Sequence, residues 1–441
     1  MSVGDLYPKP LSARDNALLF NELIRPSLTG EPRENPVVLF VGGQPGAGKS
    51  SVQSAVLERL GRTTAFPLDG DELLARHPRH EEWSRDNDLT AAFLTGEDLK
   101  GRWWTRSARL LRAQRLDVVV SAPLAGPGWA LERFGEFRRA GYQVGVVFVA
   151  THEAMSLQGI INRYHQARQP DQIGYGRWVP PKIHDQGYSG VLNTADGIDR
   201  KHAVDMVYVA RRTGEIVHMN ELTTEGWGFG VATRQTMVAE RQRAWSTAES
   251  ARFLQTQGRL RAELSGEWAP LLNSIEQRAV PVINPLTVHD DTQLAARKSD
   301  TIRLIEQAKQ ELDSAKARVD ALKGAHTTGA NAARLDELRE AGTPPGELRR
   351  VRDAMHHDRW IAAVAVWGAP QQRLDDAQHL LDAIANEQQR RTALDPKQQH
   401  AEQLARQHLQ ALTVTQANPP AARRDGPRVG GPQQAGPGLG L

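Results

Sequence analysis

The chain has 441 residues, too many for one ordinary hydrophobic core, so roughly two or three domains are expected. Its 55 Lys and Arg against 52 Asp and Glu leave a net charge of only +3, and no stretch concentrates the basic residues, which argues against a nucleic-acid partner. The absence of cysteine excludes disulfides, thiolate metal sites and cysteine nucleophiles, and suits a reducing compartment.

Residues 1–20 lack the basic start, apolar run and cleavage site of a secretory signal, and no later stretch approaches the roughly 18 uncharged apolar residues of a membrane span. A cytoplasmic protein with no membrane contact is expected. The first β-branched run, 37–41, reads as a buried strand, and Gly43-Gln44-Pro45-Gly46-Ala47-Gly48-Lys49-Ser50 follows it directly, filling every fixed position of G-x-x-x-x-G-K-[ST]. A helix over 51–60 comes next, and this strand–loop–helix setting is what makes the match informative. Glycines let several backbone N–H groups turn inward, and the helix N-terminus adds partial positive charge, so the loop is an anion cradle. Residues Gly43 to Ser51 would hold the phosphates of ATP, with Lys49 reaching the β- and γ-phosphates and the Ser50 hydroxyl ligating Mg²⁺.

The second strand, 65–68, runs into Asp69-Gly70-Asp71-Glu72, two carboxylates at a strand's C-terminal end, where open α/β sheets bind ligands. A carboxylate there can take the proton of an attacking hydroxyl. Asp71 is the preferred base and Asp69 the alternative, with Asp69 otherwise joining Ser50 at the metal; the plain reading of either is a helix N-cap. Helical segments at 98–114, 129–140 and 153–168 alternate with strands at 118–120, 144–149 and 204–209, so residues 1–235 read as an α/β domain with a mostly parallel sheet flanked by helices. Arg163 and Arg177 are candidates for offsetting charge on a transferred phosphoryl group, although an arginine met blind is more often a solvated surface residue. His77 with His80, and His356-His357, lack the acidic company of a metal site and read as solvated histidines. Trp103, Trp104 and Trp178 fall near the acceptor side, where core packing or, at Trp178, stacking on a base or sugar would suit them.

Past about residue 235 the β-branched runs vanish. Ile305, Ala308, Leu312, Ala315, Val319 and Leu322 lie on one seam of a coiled-coil-like helix, Leu374, Ala377, Leu381 and Ile384 form a second stripe, and Thr343-Pro344-Pro345-Gly346 breaks the helix between them. Residues 240–415 are expected to be an all-helical module of antiparallel hairpins, and the Gly- and Pro-rich residues 416–441 a disordered tail. On composition alone, a chain ended near residue 235 should fold by itself.

Residues 10–225 resemble the zeta toxins, P-loop kinases of bacterial toxin–antitoxin systems. The resemblance rests on Phe20-Asn21-Glu22-Leu23-Ile24-Arg25-Pro26, the glycine loop with Gly42, Asp69-Gly70-Asp71 with His77-Pro78, and Arg163 with Arg177 and His184-Asp185. It implies transfer of the ATP γ-phosphate to the 3′-hydroxyl of the amino sugar in UDP-N-acetylglucosamine, with Asp71 as base and Arg163 and Arg177 clamping the phosphates. Thr105 stands where the family usually has an acidic residue that helps hold the sugar, and Ser121-Ala122-Pro123 stands where it commonly has Glu-Gly-Thr. Both departures fall on the acceptor side, which leaves open another nucleotide-type or sugar hydroxyl, a hydrolysing ATPase, or a silent ATP-binding module. In the toxin–antitoxin setting a separate helical antitoxin restrains the kinase, so the helical half is expected to be either a restraint in cis or a general interaction module.

Overall fold

The computed structural model describes residues 11–99, 101–324 and 330–417, with side chains described for these except 322–324, 330–332, 354–364 and 414–417. Seven strands form one sheet: β1 (Val37–Gly42), β2 (Phe66–Asp69), β3 (Val118–Ala122), β4 (Gln143–Val149), β5 (Met206–Ala210), β6 (Ile216–Thr223) and β7 (Gly226–Trp227), in the order β2-β3-β1-β4-β5-β6-β7. The pairs from β2 through β5 are parallel, and β6 and β7 add an antiparallel edge. β1 is buried at every residue, as a strand covered on both faces must be. It lies between β3 and β4, so the chain leaves it at the point where strand order reverses, and a crevice opens there.

Helices α1 (Ala13–Leu19), α2 (Lys49–Arg59), α3 (Gly70–Ala75), α4 (His80–Leu99), α5 (Arg102–Ala113), α6 (Pro127–Arg139), α7 (Glu153–Ala167) and α8 (Pro181–Lys201) surround the sheet. The five expected strands and the α/β class are present. The segment expected as one helix over 98–114 is two, because Gly101 takes φ +67° and resets the chain between α4 and α5. The β6–β7 edge had no expectation attached; its signal is the turn at Thr213-Gly214, where Gly214 takes φ +91°. One core cluster joins β1, β3 and β4 to α5, α6 and α8 through Phe40, Phe134, Phe137 and Phe148.

Beyond the sheet come α9 (Thr233–Gln242), α10 (Thr247–Glu263), α11 (Ala269–Ala279), α12 (Pro285–Val288), α13 (Asp291–Gly324), α14 (Ala330–Glu340), α15 (Pro345–Thr392) and α16 (Pro396–Ala417). The two predicted stripes meet: Ile305, Ala308 and Leu312 of α13 pack on Leu374, Ala377 and Leu381 of α15. The helices run antiparallel, since Asp291 pairs with Arg391 at 2.9 Å and Glu311 with Arg373 far up the hairpin. Ala315 is buried and Val319 partly so, while the side chain of Leu322 lies outside the described residues, as do those of His356 and His357. α16 runs to Ala417, past the expected end at 415, and residues 418–441 of the expected tail also lie outside them. A second core is shared across the composition break: Ala154, Leu157 and Ile161 of α7 pack with Trp245, Phe253, Leu254 and Ile275, and with Ala405 and Leu409 of α16. Among the described residues no helix is long and apolar enough to cross a membrane.

Candidate active site

The loop Gly43–Gly48 joins β1 to α2 with the geometry its glycines permit. Gly46 takes φ +76° and Gly48 φ +95°, and a Cβ on Gly46 would stand 2.0 Å from the Ser156 carbonyl oxygen. Gln44 and Ala47 are fully buried; Ser50 and Ser51, in the first turn of α2, are exposed. Lys49 Nζ donates to the carbonyls of Gly43 at 3.0 Å and Gln44 at 3.3 Å, so its ammonium lies against its own loop.

Three cations share this end of the crevice. Burial, then Arg163 and Arg177, pull Lys49 down to about 8 against the opposing charge of Asp69. Loss of solvent likewise lowers both arginines, with Asp69 opposing. Burial raises Asp69, while Arg177, Lys49 and Arg163 work in the other direction. Two carboxylates, Asp69 and the Asp71 that pairs with Arg177, thus face three cations, and the surplus suits a polyanion. Arg163 makes no hydrogen bond or ion pair among the described residues, and the buried Nε of Arg177 has no hydrogen-bond partner there. Unused donors on a cationic crevice wall fit phosphate oxygens.

The two carboxylates after β2 occupy different positions. Asp69 is the N-cap of α3, its Oδ1 accepting from the Asp71 N–H at 2.8 Å. Asp71 pairs with Arg177 Nη1 and lines a pocket of about 290 Å³ with Leu73, Leu74, Thr105, Trp104 and Trp129. Asp71 therefore links the cationic end to a neighbouring cavity, and Thr105 reaches that cavity too. Trp103 and Trp104 line it, whereas Trp178 does not. Trp178 packs on Tyr164 at 5.4 Å and Trp268 at 5.1 Å, so its ring belongs to the contact between the two halves of the chain.

Sequence reasoning passed over several residues that hold these groups. Asp88, beside the break at Asn87 in α4, accepts from Tyr164 Oη at 2.8 Å, Arg168 Nη1 at 3.2 Å and the Gly176 N–H at 2.9 Å, fixing the chain just before Arg177. Arg212 Nη1 donates to the Gly46 carbonyl at 2.9 Å, and Arg241 Nη2 to Gln44 Oε1 at 3.0 Å, each bracing the loop from outside. No local signal marks them, since each acts on a residue distant in sequence. His77, expected to be solvated, is buried: Nε2 lies 2.8 Å from Asp98, and the ring stacks on Trp83 at 5.0 Å. Asp98 of α4 also receives the Leu11 N–H, so this carboxylate ties both His77 and the N-terminal segment to α4.

Residues 24–223 match the zeta toxin family. The matched stretch is somewhat under half of the chain. The chain is 19% identical over 193 residues to the toxin PezT of Streptococcus pneumoniae, a match covering 43% of this chain and 74% of PezT. It is 24% identical over 159 residues to the toxin zeta of Streptococcus pyogenes, covering 34% and 52% respectively, so the chain spans about half of that relative's length. Among solved structures, the PezAT toxin–antitoxin system of Streptococcus pneumoniae is similar with a TM-score of 0.48 and 16% identity, over 58% of this chain and 98% of that one. The zeta toxin segment contains the glycine loop, both carboxylates, Arg163 and Arg177, and ends before α9, so Arg241 lies outside it.

Proposed function

We propose that this chain is an ATP-dependent kinase that transfers the γ-phosphate to a hydroxyl of a nucleotide sugar such as UDP-N-acetylglucosamine, at its 3′ position. The observation that carries the reading is the place of Asp71, tied to Arg177 on the cationic side and facing the pocket on the other. Residues Gly43 to Ser51 hold the triphosphate, and Lys49, Arg163 and Arg177 offset the charge that spreads over the γ-phosphoryl oxygens as it moves. The acceptor oxygen forms a bond to the γ-phosphorus, the bridging bond to ADP breaks, and Asp71 takes the acceptor's proton. Ser50 and Asp69 would hold Mg²⁺, an ion that commonly takes only one or two protein oxygens. When bound, the ion supplies positive charge to the phosphates.

The pocket walls favour a second acceptor class. Leu73, Leu74, Leu99, Trp104 and Trp129 are apolar and Thr105 carries no charge, so an acceptor with a planar or apolar face beside its hydroxyl also suits the cavity. The relatives named as toxins support a toxin role, and an antitoxin is the partner such a role would bring. The test is to incubate the purified protein with Mg-ATP and a panel of nucleotide sugars and dinucleotides, then read the masses. A gain of one phosphate on one acceptor is expected. Phosphate release with no acceptor modified would identify a hydrolase, and no ATP consumed would identify a binding module.

A further inference from the structure

We propose that Arg241 and Arg278, which lie in the helical half, are positioning residues that hold the phosphate loop in its nucleotide-binding form through the side chain of Gln44. This rests on the phosphate-loop reading above and adds that the loop is completed from outside the zeta toxin segment.

Gln44 occupies the second position of the loop and is fully buried, so its amide must find partners inside the protein. Nε2 donates to the Thr151 carbonyl at 2.7 Å and to Ser156 Oγ at 3.1 Å, and Oε1 accepts from Arg241 Nη2 at 3.0 Å. The orientation is enforced at both ends, because a reversed amide would set its NH₂ against a guanidinium and its oxygen against a carbonyl. The backbone follows: the Gln44 carbonyl accepts from the Ala47 N–H at 3.2 Å and from Lys49 Nζ at 3.3 Å, so turning this residue moves both the loop's first turn and its lysine.

Arg241 is an expensive way to satisfy one amide oxygen. It is 2% exposed, makes no ion pair with a carboxylate among the described residues, and leaves its Nε without a hydrogen-bond partner. Its other contacts are the Tyr188 carbonyl at 2.7 Å and the face of the Tyr188 ring, 4.1 Å from the guanidinium carbon. Burial lowers it to about 10, which keeps it cationic at neutral pH. A guanidinium placed only for stability would be expected to gain from a carboxylate partner; here the charge is directed at the loop.

The other end of Gln44 is set by a one-way chain of donors. Arg278 of α11 donates to Asp185 at 3.0 and 3.2 Å and to Glu153 at 2.5 Å. Asp185 accepts from His184 Nδ1 at 2.9 Å, which leaves Nε2 as the acceptor for the Ser156 hydroxyl at 2.8 Å. His184 Nε2 is the nearest of three acceptors for that proton, the Glu153 carbonyl lying at 3.1 Å and the His152 carbonyl at 3.2 Å, and Ser156 Oγ accepts from Gln44. Arg278 thus holds Asp185, Asp185 sets the histidine tautomer, and that tautomer gives Ser156 its shortest contact beside Gln44.

The experiment uses the full chain. Arg241→Ala and Gln44→Ala should each raise the ATP Kd and the KM for ATP about tenfold or more, with the KM for acceptor within about twofold. The double variant should lose little beyond either single one, because both remove the same contact. Arg278→Gln should move ATP affinity in the same direction by a smaller factor. An unchanged ATP Kd in a folded Arg241→Ala protein overturns the proposal, and so do losses that multiply in the double variant. Should Arg241→Ala not fold, Arg241→Lys reads the same quantity. An ammonium lacks the fork by which two separate nitrogens reach Tyr188 and Gln44, so ATP Kd should rise about threefold, and a wild-type value would overturn the proposal. Lys49→Ala is the control for the reading beneath it. ATP binding insensitive to Lys49 would mean that the loop is no phosphate site, whereas sensitivity to Lys49 without sensitivity to Arg241 rejects only the brace.

Discussion

Lys49 carries the sharpest consequence at the scale of single residues. Its ammonium is held to about 8 in the free protein, so near pH 8 about half of it has lost its proton, and a triphosphate arriving beside it should restore that proton. ATP binding at pH 8 should therefore take up about half a proton per site, and affinity should fall as pH rises beyond that value. Calorimetry in two buffers of different ionisation heat measures the uptake, and a value of zero would mean that Lys49 already holds its proton in the free protein. Lys49→Ala should abolish the uptake and lower turnover roughly 10³-fold. Asp71→Asn keeps size and hydrogen bonding but cannot take a proton, so turnover should drop roughly 10²- to 10⁴-fold with ATP affinity nearly unchanged. Asp69→Asn should weaken Mg-ATP binding instead, through loss of the oxygen proposed to hold Mg²⁺ with Ser50 and of the cap on α3. The reverse pattern would exchange their roles. The loop and the carboxylates after β2 were legible as candidates in the sequence because each is a local motif, and Arg163 and Arg177 only through the resemblance to zeta toxins. Asp88 and Arg241 were not, since their partners lie 76 to 88 and 197 residues away in the chain.

Among the elements, the tightest fit is between the glycine loop and α7. Gly46 lies against the Ser156 carbonyl with room for a hydrogen and nothing more, so Gly46→Ala must push the loop off α7 by the better part of an ångström. A displacement of about 1 Å at a phosphate site costs about 10²-fold in rate, and the variant should lose turnover by that order while the rest of the sheet keeps its fold, as amide exchange in β1 and β4 would report. Retention of full activity would mean that the loop tolerates a second position. Strand and helix periodicity made the elements around this contact readable, because β1 and β4 are covered on both faces and carry unbroken apolar runs. The antiparallel edge β6 was not readable: its faces are mostly half-buried or exposed, so no run of apolar residues announces it. His77 misled for a related reason, its buried partner Asp98 being 21 residues further on.

Across the whole molecule, composition and packing divide the chain in different places. Composition changes near residue 235, yet Met237 belongs to the sheet's core, Arg241 reaches the loop, and α7 buries Leu157 and Ile161 against the helices that follow. Burying one such side chain contributes about 1.5–3 kcal/mol, so uncovering these two alone removes about 3–6 kcal/mol from a fold whose net stability is typically about 5–15 kcal/mol. A chain ended at 235 should therefore aggregate or bind ATP poorly, contrary to what composition suggests. The α13–α15 hairpin is different. Its upper part packs mainly on itself through Ile305, Ala308, Leu312, Leu374 and Ala377, while Leu294 and Ile384 fasten its base to Leu286. Excising residues 304–381 and joining 303 to 382 by a short Gly-rich turn keeps that base, including the ion pair of Asp291 with Arg391. The shortened protein should melt within a few degrees of the full chain and bind ATP within about twofold, because among the described residues neither core that holds α7, α9 or α11 includes a residue it loses. If the hairpin restrains the kinase, turnover should rise on excision, since removing a cover shifts the population toward the open form. Unchanged turnover leaves the hairpin as a surface for a partner, and loss of ATP binding would show that it contributes to the nucleotide site despite packing on itself.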